Sequence, residues 1–235
     1  MKFVKLPEDK QYKLPFYLAM EEYLAEHCGE DLLFTWQVEP TVIFGRNQVM
    51  LAEVNVDYCE QHHIQYYRRK SGGGCVYADK GNIMISYVTP KVTLDVAFNE
   101  FLNNLAEVLR KLGFDAVKTE HNDILIGGRK VSGNALFQKE KASIVHGTLL
   151  YDVDIQIMME AITPPKQKFE KHGIESVRQR VVNLKEIGLT LSVEEVRKII
   201  VQSLCDAEML LTSSDVIEIK KIEQGYYAPV FLNGK

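Results

Sequence analysis

The chain has 235 residues, 46% of them hydrophobic and 26% charged, with a formal net charge of −4 and a sequence pI of about 5.9. That size suits one domain, two at most, and the acidic balance excludes a global positive field that would recruit nucleic acid. No apolar run approaches the roughly 20 residues of a membrane span, and Met1–Glu8 lacks the apolar core of a secretory signal. The four cysteines, Cys28, Cys59, Cys75 and Cys205, form no Cys-x-x-Cys pair, so free thiols in a reducing cytoplasm are expected.

Pro15 suits a first helical turn and opens a predicted helix over residues 14–27. Leu32–Trp36 and Thr41–Phe44 are short β-prone runs separated by a turn at Glu39-Pro40. A helix over residues 55–63 and an extended stretch at Tyr66–Arg69 follow. Three glycines at positions 72–74 then interrupt the chain before strand-like Cys75–Tyr77 and Asn82–Val88. Phe98, Phe101, Leu102, Leu105, Val108, Leu109 and Leu112 recur at the spacing of an amphipathic helix, and Gly113 stands where its C-terminal cap belongs. Ile124–Ile126 and Arg129–Val131 flank Gly127-Gly128, a hairpin signal because both turn residues take positive φ without strain. Ser143–Tyr151 reads as a strand, and Asp154 caps a helix to about Ile162. Ser192-Val193-Glu194-Glu195 is a capping box that opens a helix carrying Val196, Ile199, Ile200 and Leu204 on one face. A last helix is expected over residues 214–224. These elements predict an α+β fold, with mixed, largely antiparallel sheets and flanking helices. Strands and helices do not alternate regularly, which argues against a Rossmann-type sheet.

The densest chemical signal is Arg68-Arg69-Lys70-Ser71-Gly72-Gly73-Gly74-Cys75-Val76-Tyr77. Glycines let backbone N–H groups approach a ligand closely, and neighbouring cations favour phosphate. Neither the P-loop nor the dinucleotide glycine spacing is present, and a glycine triplet also makes plain tight turns. A second signal is His121-Asn122-Asp123 with Gly128-Arg129-Lys130-Val131-Ser132-Gly133-Asn134-Ala135 across the hairpin. There Lys130 would neutralise a phosphate or carbonyl oxygen, and Asp123 would hold Mg²⁺. Taken singly, Lys130 and Asp123 read as surface charges and His146 as a core histidine. A serine nucleophile at Ser71 or Ser132 lacks the strand–turn–helix setting.

In order along the chain, these blocks resemble the lipoate–protein ligase family, within the biotin/lipoate protein ligase superfamily. The matching stretches are Ile43–Gln48, Arg68–Tyr77, Asp79–Asn82, Asn122–Ile124, Gly128–Ala135, His146–Leu150 and Gly173–Leu184, spread over roughly residues 15–225. The resemblance implies that ATP and lipoate give lipoyl-AMP, and that a lysine of an acceptor protein then takes the lipoyl group. It assigns Lys130 to the acyl carbonyl and α-phosphate in both steps. Arg69 and the backbone of Gly74, Cys75, Val76 and Tyr77 are implied nucleotide contacts, and Gly72 and Gly73 wall the lipoyl tunnel. Asn122 and Asp123 stand beside the phosphates and Mg²⁺, and Ser132 and His146 complete the set that binds ATP and lipoyl-AMP. The implied partners are lipoyl-acceptor domains of 2-oxoacid dehydrogenase complexes or the glycine cleavage H protein, with an accessory subunit as a further expectation and neither nucleic acid nor membrane. Residues 1–235 are expected to form one catalytic domain, a short form without the family's C-terminal accessory domain.

Two features depart from the pattern or bear on rivals. Ala78 stands where the family usually has histidine, so one polar contact is expected to be missing. An octanoyl or lipoyl transferase of the same fold needs a cysteine nucleophile; one branch places it three residues before the His-Gly pair, where this chain has Ser143. Biotin ligase is disfavoured because its Gly-Arg-Gly-Arg-type loop is absent. A lipoate-binding subunit without catalysis of its own is the non-enzymatic alternative.

Overall fold

The computed structural model describes residues 1–27, 29–120, 122–162 and 180–233. Its helices are α1 (Leu14–His27), α2 (Met50–Glu53), α3 (Val56–Gln61), α4 (Leu94–Lys111), α5 (Ile155–Ala161), α6 (Val193–Leu204), α7 (Ser213–Glu223) and α8 (Pro229–Asn233). The strands are β1 (Lys2–Lys5), β2 (Leu32–Trp36), β3 (Thr41–Phe44), β4 (Gln65–Arg68), β5 (Val76–Ala78), β6 (Asn82–Pro90), β7 (Ala116–Lys118), β8 (Asp123–Ile126), β9 (Arg129–Gln138), β10 (Ala142–Leu150) and β11 (Ala207–Leu210). Eight strands form one sheet in the order β11-β1-β2-β6-β10-β9-β8-β7, and β4-β3-β5 form a second of three. The large sheet is antiparallel from β2 to β7 and parallel where β1 meets β2 and β11. The α+β expectation is therefore met.

Side-chain alternation along the central strands explains why both faces of the large sheet are covered. Leu32, Phe34 and Trp36 of β2, with Met84 and Val88 of β6, enter one core together with Leu14–Ala25 of α1 and Ile219 of α7. Leu33, Ile83, Ile85 and Tyr87 point the other way, into a core shared with Phe101–Leu109 of α4 and Val196 and Ile200 of α6. A smaller cluster of Val42, Phe44, Cys59, Tyr77, Leu150 and Val153 fills the space beneath the three-stranded sheet.

Most sequence expectations stand to within a few residues. Asp154 accepts from the Ile157 N–H and Ser192 forms its capping box with Glu195. Gly127 and Gly128 take φ of 56° and 74°, the left-handed pair that the hairpin turn requires, and Gly113 caps α4 with φ of 93°. Three strands were not foreseen: β1, β7 and β11. Each has three or four residues, and β11 is largely exposed, so none carries a periodic signal strong enough to read. Among the described residues no helix is long and apolar enough to cross a membrane.

Candidate active site between the glycine loop and Lys130

A cavity of about 140 Å³ opens where the two sheets approach one another. Leu14, Leu18, Trp36, Ile43 and Met84 supply apolar lining, whereas Asn122, Lys130, Asn134, His146 and Thr148 supply polar groups. Such a cavity suits a ligand with an apolar chain and a charged head. The glycine loop borders it through Gly73, Gly74, Cys75 and Val76.

Two buried arginines brace this region from behind, Arg69 the glycine loop and Arg68 the neighbouring segment after β3. Arg69 donates from Nε and Nη2 to the Gly72 carbonyl at 3.2 and 2.8 Å, from Nη2 to Gly74 at 2.7 Å and from Nη1 to Ile43 at 3.1 Å. Burial pushes its pKa down to about 10, so the guanidinium remains charged at neutral pH. Arg69 also lines the cavity, yet most of its donors serve main-chain carbonyls. Arg68 donates to the carbonyls of Gly45, Arg46, Gln48 and Leu232 and stacks on Phe44. Gly45 is needed for close approach, because a Cβ there would strike the Gly73 carbonyl oxygen. Gly73 itself has φ of 92° and is exposed along with Gly74, leaving the loop's backbone open to a ligand.

Lys130 faces the loop from the start of β9. Its N–H donates to the Arg180 carbonyl at 2.7 Å and its carbonyl accepts from the Val182 N–H at 3.0 Å, so its backbone is fixed on both sides. The side chain lies over Gly133, where a Cβ would come within 2.6 Å of both Cε and Nζ. Its ammonium sits 2.7 Å from Asp123 Oδ1. A β-bulge between Ile124 and Leu125 shifts the register just where this pair forms. Asn122 and Asn134 exchange side-chain hydrogen bonds with one another's carbonyls, at 2.6 and 2.8 Å. Gly147 makes room for Asn134, since a Cβ there would strike its Oδ1.

Of the residues expected at the site, Arg69, Gly73, Gly74, Cys75, Val76, Asn122, Lys130 and His146 border the cavity, and Asp123 reaches it through Lys130. Gly72 contributes its carbonyl to Arg69. Ser132 is fully buried behind the lining and hydrogen-bonds Asn134 at 3.4 Å. The Tyr77 ring belongs to the core beneath the small sheet, so only its backbone lies along the loop strand. His121, Cys28 and the Gly173–Gln179 part of the last matching block lie outside the described residues. Among the described residues no group of three or more His, Cys, Asp or Glu could hold a metal by itself.

Residues 14–205 match the family described as the lipoyl protein ligase A/B catalytic domain. The chain belongs to that family. Within it, the chain is 35% identical over 218 residues to lipoate–protein ligase 1 of Staphylococcus aureus, across 89% of the chain and 66% of that protein. It thus spans about two thirds of that relative's length. Its fold is that of the bi-partite lipoate protein ligase of Thermoplasma acidophilum, described with its E2 lipoyl domain (TM-score 0.88, 24% identity, covering 99% of this chain and 96% of that one). A lipoate-protein ligase A bound with ATP gives a TM-score of 0.83 at 22% identity over 99% and 98% of the two chains.

The site also holds groups that the motifs did not announce. Glu21 and Glu22 are buried in α1 at 3% and 5% exposure. Glu21 approaches His146 Nδ1 at 2.9 Å, and His146 Nε2 lies 2.8 Å from Ser71 Oγ. A signal was present: Leu14–Ala25 is apolar but for these two acids, and a helix buried on all sides must pair any charge it carries.

Proposed function

We propose that this domain condenses lipoate with ATP to lipoyl-AMP and passes the lipoyl group to a lysine of an acceptor protein. The observation that carries the reading is the placement of Lys130. Its ammonium is held by Asp123 at 2.7 Å, above a glycine and across an amphipathic cavity from an open glycine loop. The apolar lining takes the carbon chain, and the carboxylate end then meets Lys130 and the exposed N–H groups at Gly73-Gly74. In the first step the carboxylate oxygen attacks the α-phosphorus and pyrophosphate leaves. In the second the acceptor amine, having lost its extra proton to solvent, attacks the acyl carbon. The C–N bond forms, the C–O bond to phosphate breaks, and AMP departs with the electron pair.

Lys130 serves both steps by stabilising the negative charge that develops first on phosphate and then on the acyl oxygen. Asp123 is a hard oxygen donor beside the phosphate position, which fits Mg²⁺, a cation that completes its shell with water and nucleotide oxygens. Asp123 would hold that ion, whose contribution is neutralisation of the phosphate charge. The acceptors that fit are the lipoyl domains of 2-oxoacid dehydrogenase complexes or the glycine cleavage H protein, in the cytoplasm. Intact-mass measurement of an acceptor domain incubated with the protein, ATP, Mg²⁺ and lipoate tests the reading. A lipoyl mass increment that depends on ATP supports it. Lipoate binding with neither adenylate nor ligation overturns it in favour of a binding subunit.

A further inference from the structure

The glycine loop has no side chains at residues 72–74 with which to pack, so its shape must be imposed from its stem. The two stem residues that precede it, Lys70 and Ser71, both answer to α1. Ser71 Oγ lies 2.8 Å from His146 Nε2, and His146 Nδ1 lies 2.9 Å from Glu21 Oε2. Ser86 Oγ donates to Glu21 at 2.5 Å and itself accepts from Trp36 Nε1 at 2.9 Å. One residue further along α1, Glu22 accepts from Lys70 at 2.7 Å, from Tyr226 at 2.7 Å and from Lys139 at 3.1 Å. Two successive buried carboxylates therefore control two successive residues of the loop stem, by separate routes.

We propose that Glu21 and Glu22 are positioning residues for the glycine loop, acting through His146–Ser71 and through Lys70. The inference rests on the reading of that loop as the cradle for the adenylate. Glu21 accepts the Nδ1–H proton and so leaves Nε2 as the acceptor for the Ser71 hydroxyl, because the two ring nitrogens of a neutral imidazole take opposite roles. A glutamine at position 21 can present an amide N–H to Nδ1 instead, which reverses the tautomer and turns Nε2 into a donor. The loop then samples more conformations, and a ligand must order it on binding. Once bound, the ligand restores its geometry.

The expected signature is accordingly in KM rather than kcat. Glu21→Gln and Glu22→Gln each raise KM for ATP and lipoate in pyrophosphate exchange by about 10–100-fold, the worth of a hydrogen bond to a charged group, and Ser71→Ala by about 2–10-fold, that of a bond between neutral groups, while kcat stays near wild type. The Glu21→Gln/Ser71→Ala double variant is no worse than the poorer single, because both lie on one route. Glu21→Gln/Glu22→Gln is worse than either single, because the two act on different stem residues by separate routes. Hydrogen exchange of the peptide spanning residues 70–76 speeds up in each variant and is restored by synthetic lipoyl-adenylate. This last measurement needs no turnover, so it judges the positioning role even if wild type forms no adenylate and the functional reading fails. Ser71→Ala replaces Glu21→Gln on this route should that variant not fold, with Ser71→Ala/Glu22→Gln as the double variant across the two routes. Unchanged loop exchange, a fall in kcat at constant KM, or independent effects of Glu21 and Ser71 would overturn the proposal.

Discussion

Lys130 combines a compact charge with a stem that cannot wander, since Arg180 and Val182 hold its backbone and Asp123 its ammonium. Ordering a free lysine side chain costs up to about 2 kcal/mol, and here that cost is met on folding. Lys130→Ala is expected to slow both half-reactions by about 10²–10³-fold, the usual penalty for losing one preorganised charge-stabilising contact. Pyrophosphate exchange reads the first step and transfer from synthetic lipoyl-adenylate the second; normal rates in both would remove Lys130 from the mechanism. Cys75 borders the same cavity but behaves oppositely. Burial, with a smaller contribution from the charge of Glu53, pushes its thiol up to about 12, which leaves it protonated and a poor nucleophile at neutral pH. Cys75→Ser should therefore keep most ligation activity, and a trapped thioester on Cys75 in wild type would favour a transferase instead. Ala78 is fully buried in the core with α1, so a histidine there must displace its neighbours. Ala78→His is expected to cost about 1–3 kcal/mol by overpacking, measured in urea unfolding.

At the scale of elements, the hairpin was the most legible part of the site. Gly127-Gly128 between two apolar runs fixes a tight turn from sequence alone, and with it the neighbourhood of Asp123 and Lys130. What the pattern could not give was the bulge at Ile124/Leu125, since a register shift leaves no periodic trace in a four-residue strand. The glycine loop was legible as a stretch of open backbone, but the role of Arg69 was not. Whether an arginine next to glycines points at a phosphate or at the loop's own carbonyls depends on strand pairing that composition does not reveal. The same holds for His146, whose ring nitrogens are committed to Glu21 and Ser71 across gaps of 125 and 75 residues. Gly133 offers a direct test of how β9 presents its lysine. Its added methyl would clash with the flexible end of Lys130 at 2.6 Å and otherwise reach Asp123 Oδ1 at an ordinary 3.7 Å. Gly133→Ala should fold with nearly wild-type stability while the displaced ammonium loses most of its effect on adenylate formation. A variant that melts early, rather than one that merely slows, would show that Gly133 serves the strand and not the site.

At the scale of the whole molecule, Glu22 joins parts of the fold that are distant in sequence. Its carboxylate, on α1, takes Lys70 from the loop stem, Lys139 from the β9–β10 turn and Tyr226 from the segment after α7. Burial by itself would raise its pKa. The hydrogen bonds from Lys70 and Tyr226, the charge of Lys70 and the hydrogen bond from Lys139 together outweigh it and hold the group below its ordinary value of 4.5. A carboxyl depressed on folding binds its proton more readily in the unfolded chain. The stability it adds is therefore present above its unfolded pKa and disappears as the pH falls through the folded one. Unfolding free energy is thus expected to hold steady from neutral pH down to about 5 as far as this group is concerned, and then to fall as the solution is acidified past 4.5. Glu22→Gln should be less stable than wild type at pH 7, by about 1.5–3 kcal/mol for the loss of hydrogen bonds to a charge. It should also show a shallower decline below pH 5, since an amide has no proton to gain. Urea unfolding of both proteins from pH 7 to pH 3 measures the two slopes. Parallel curves would mean that acid acts on this fold elsewhere, and that the Glu22 cluster is not what ties α1, the loop stem and the C-terminal segment into one cooperative unit.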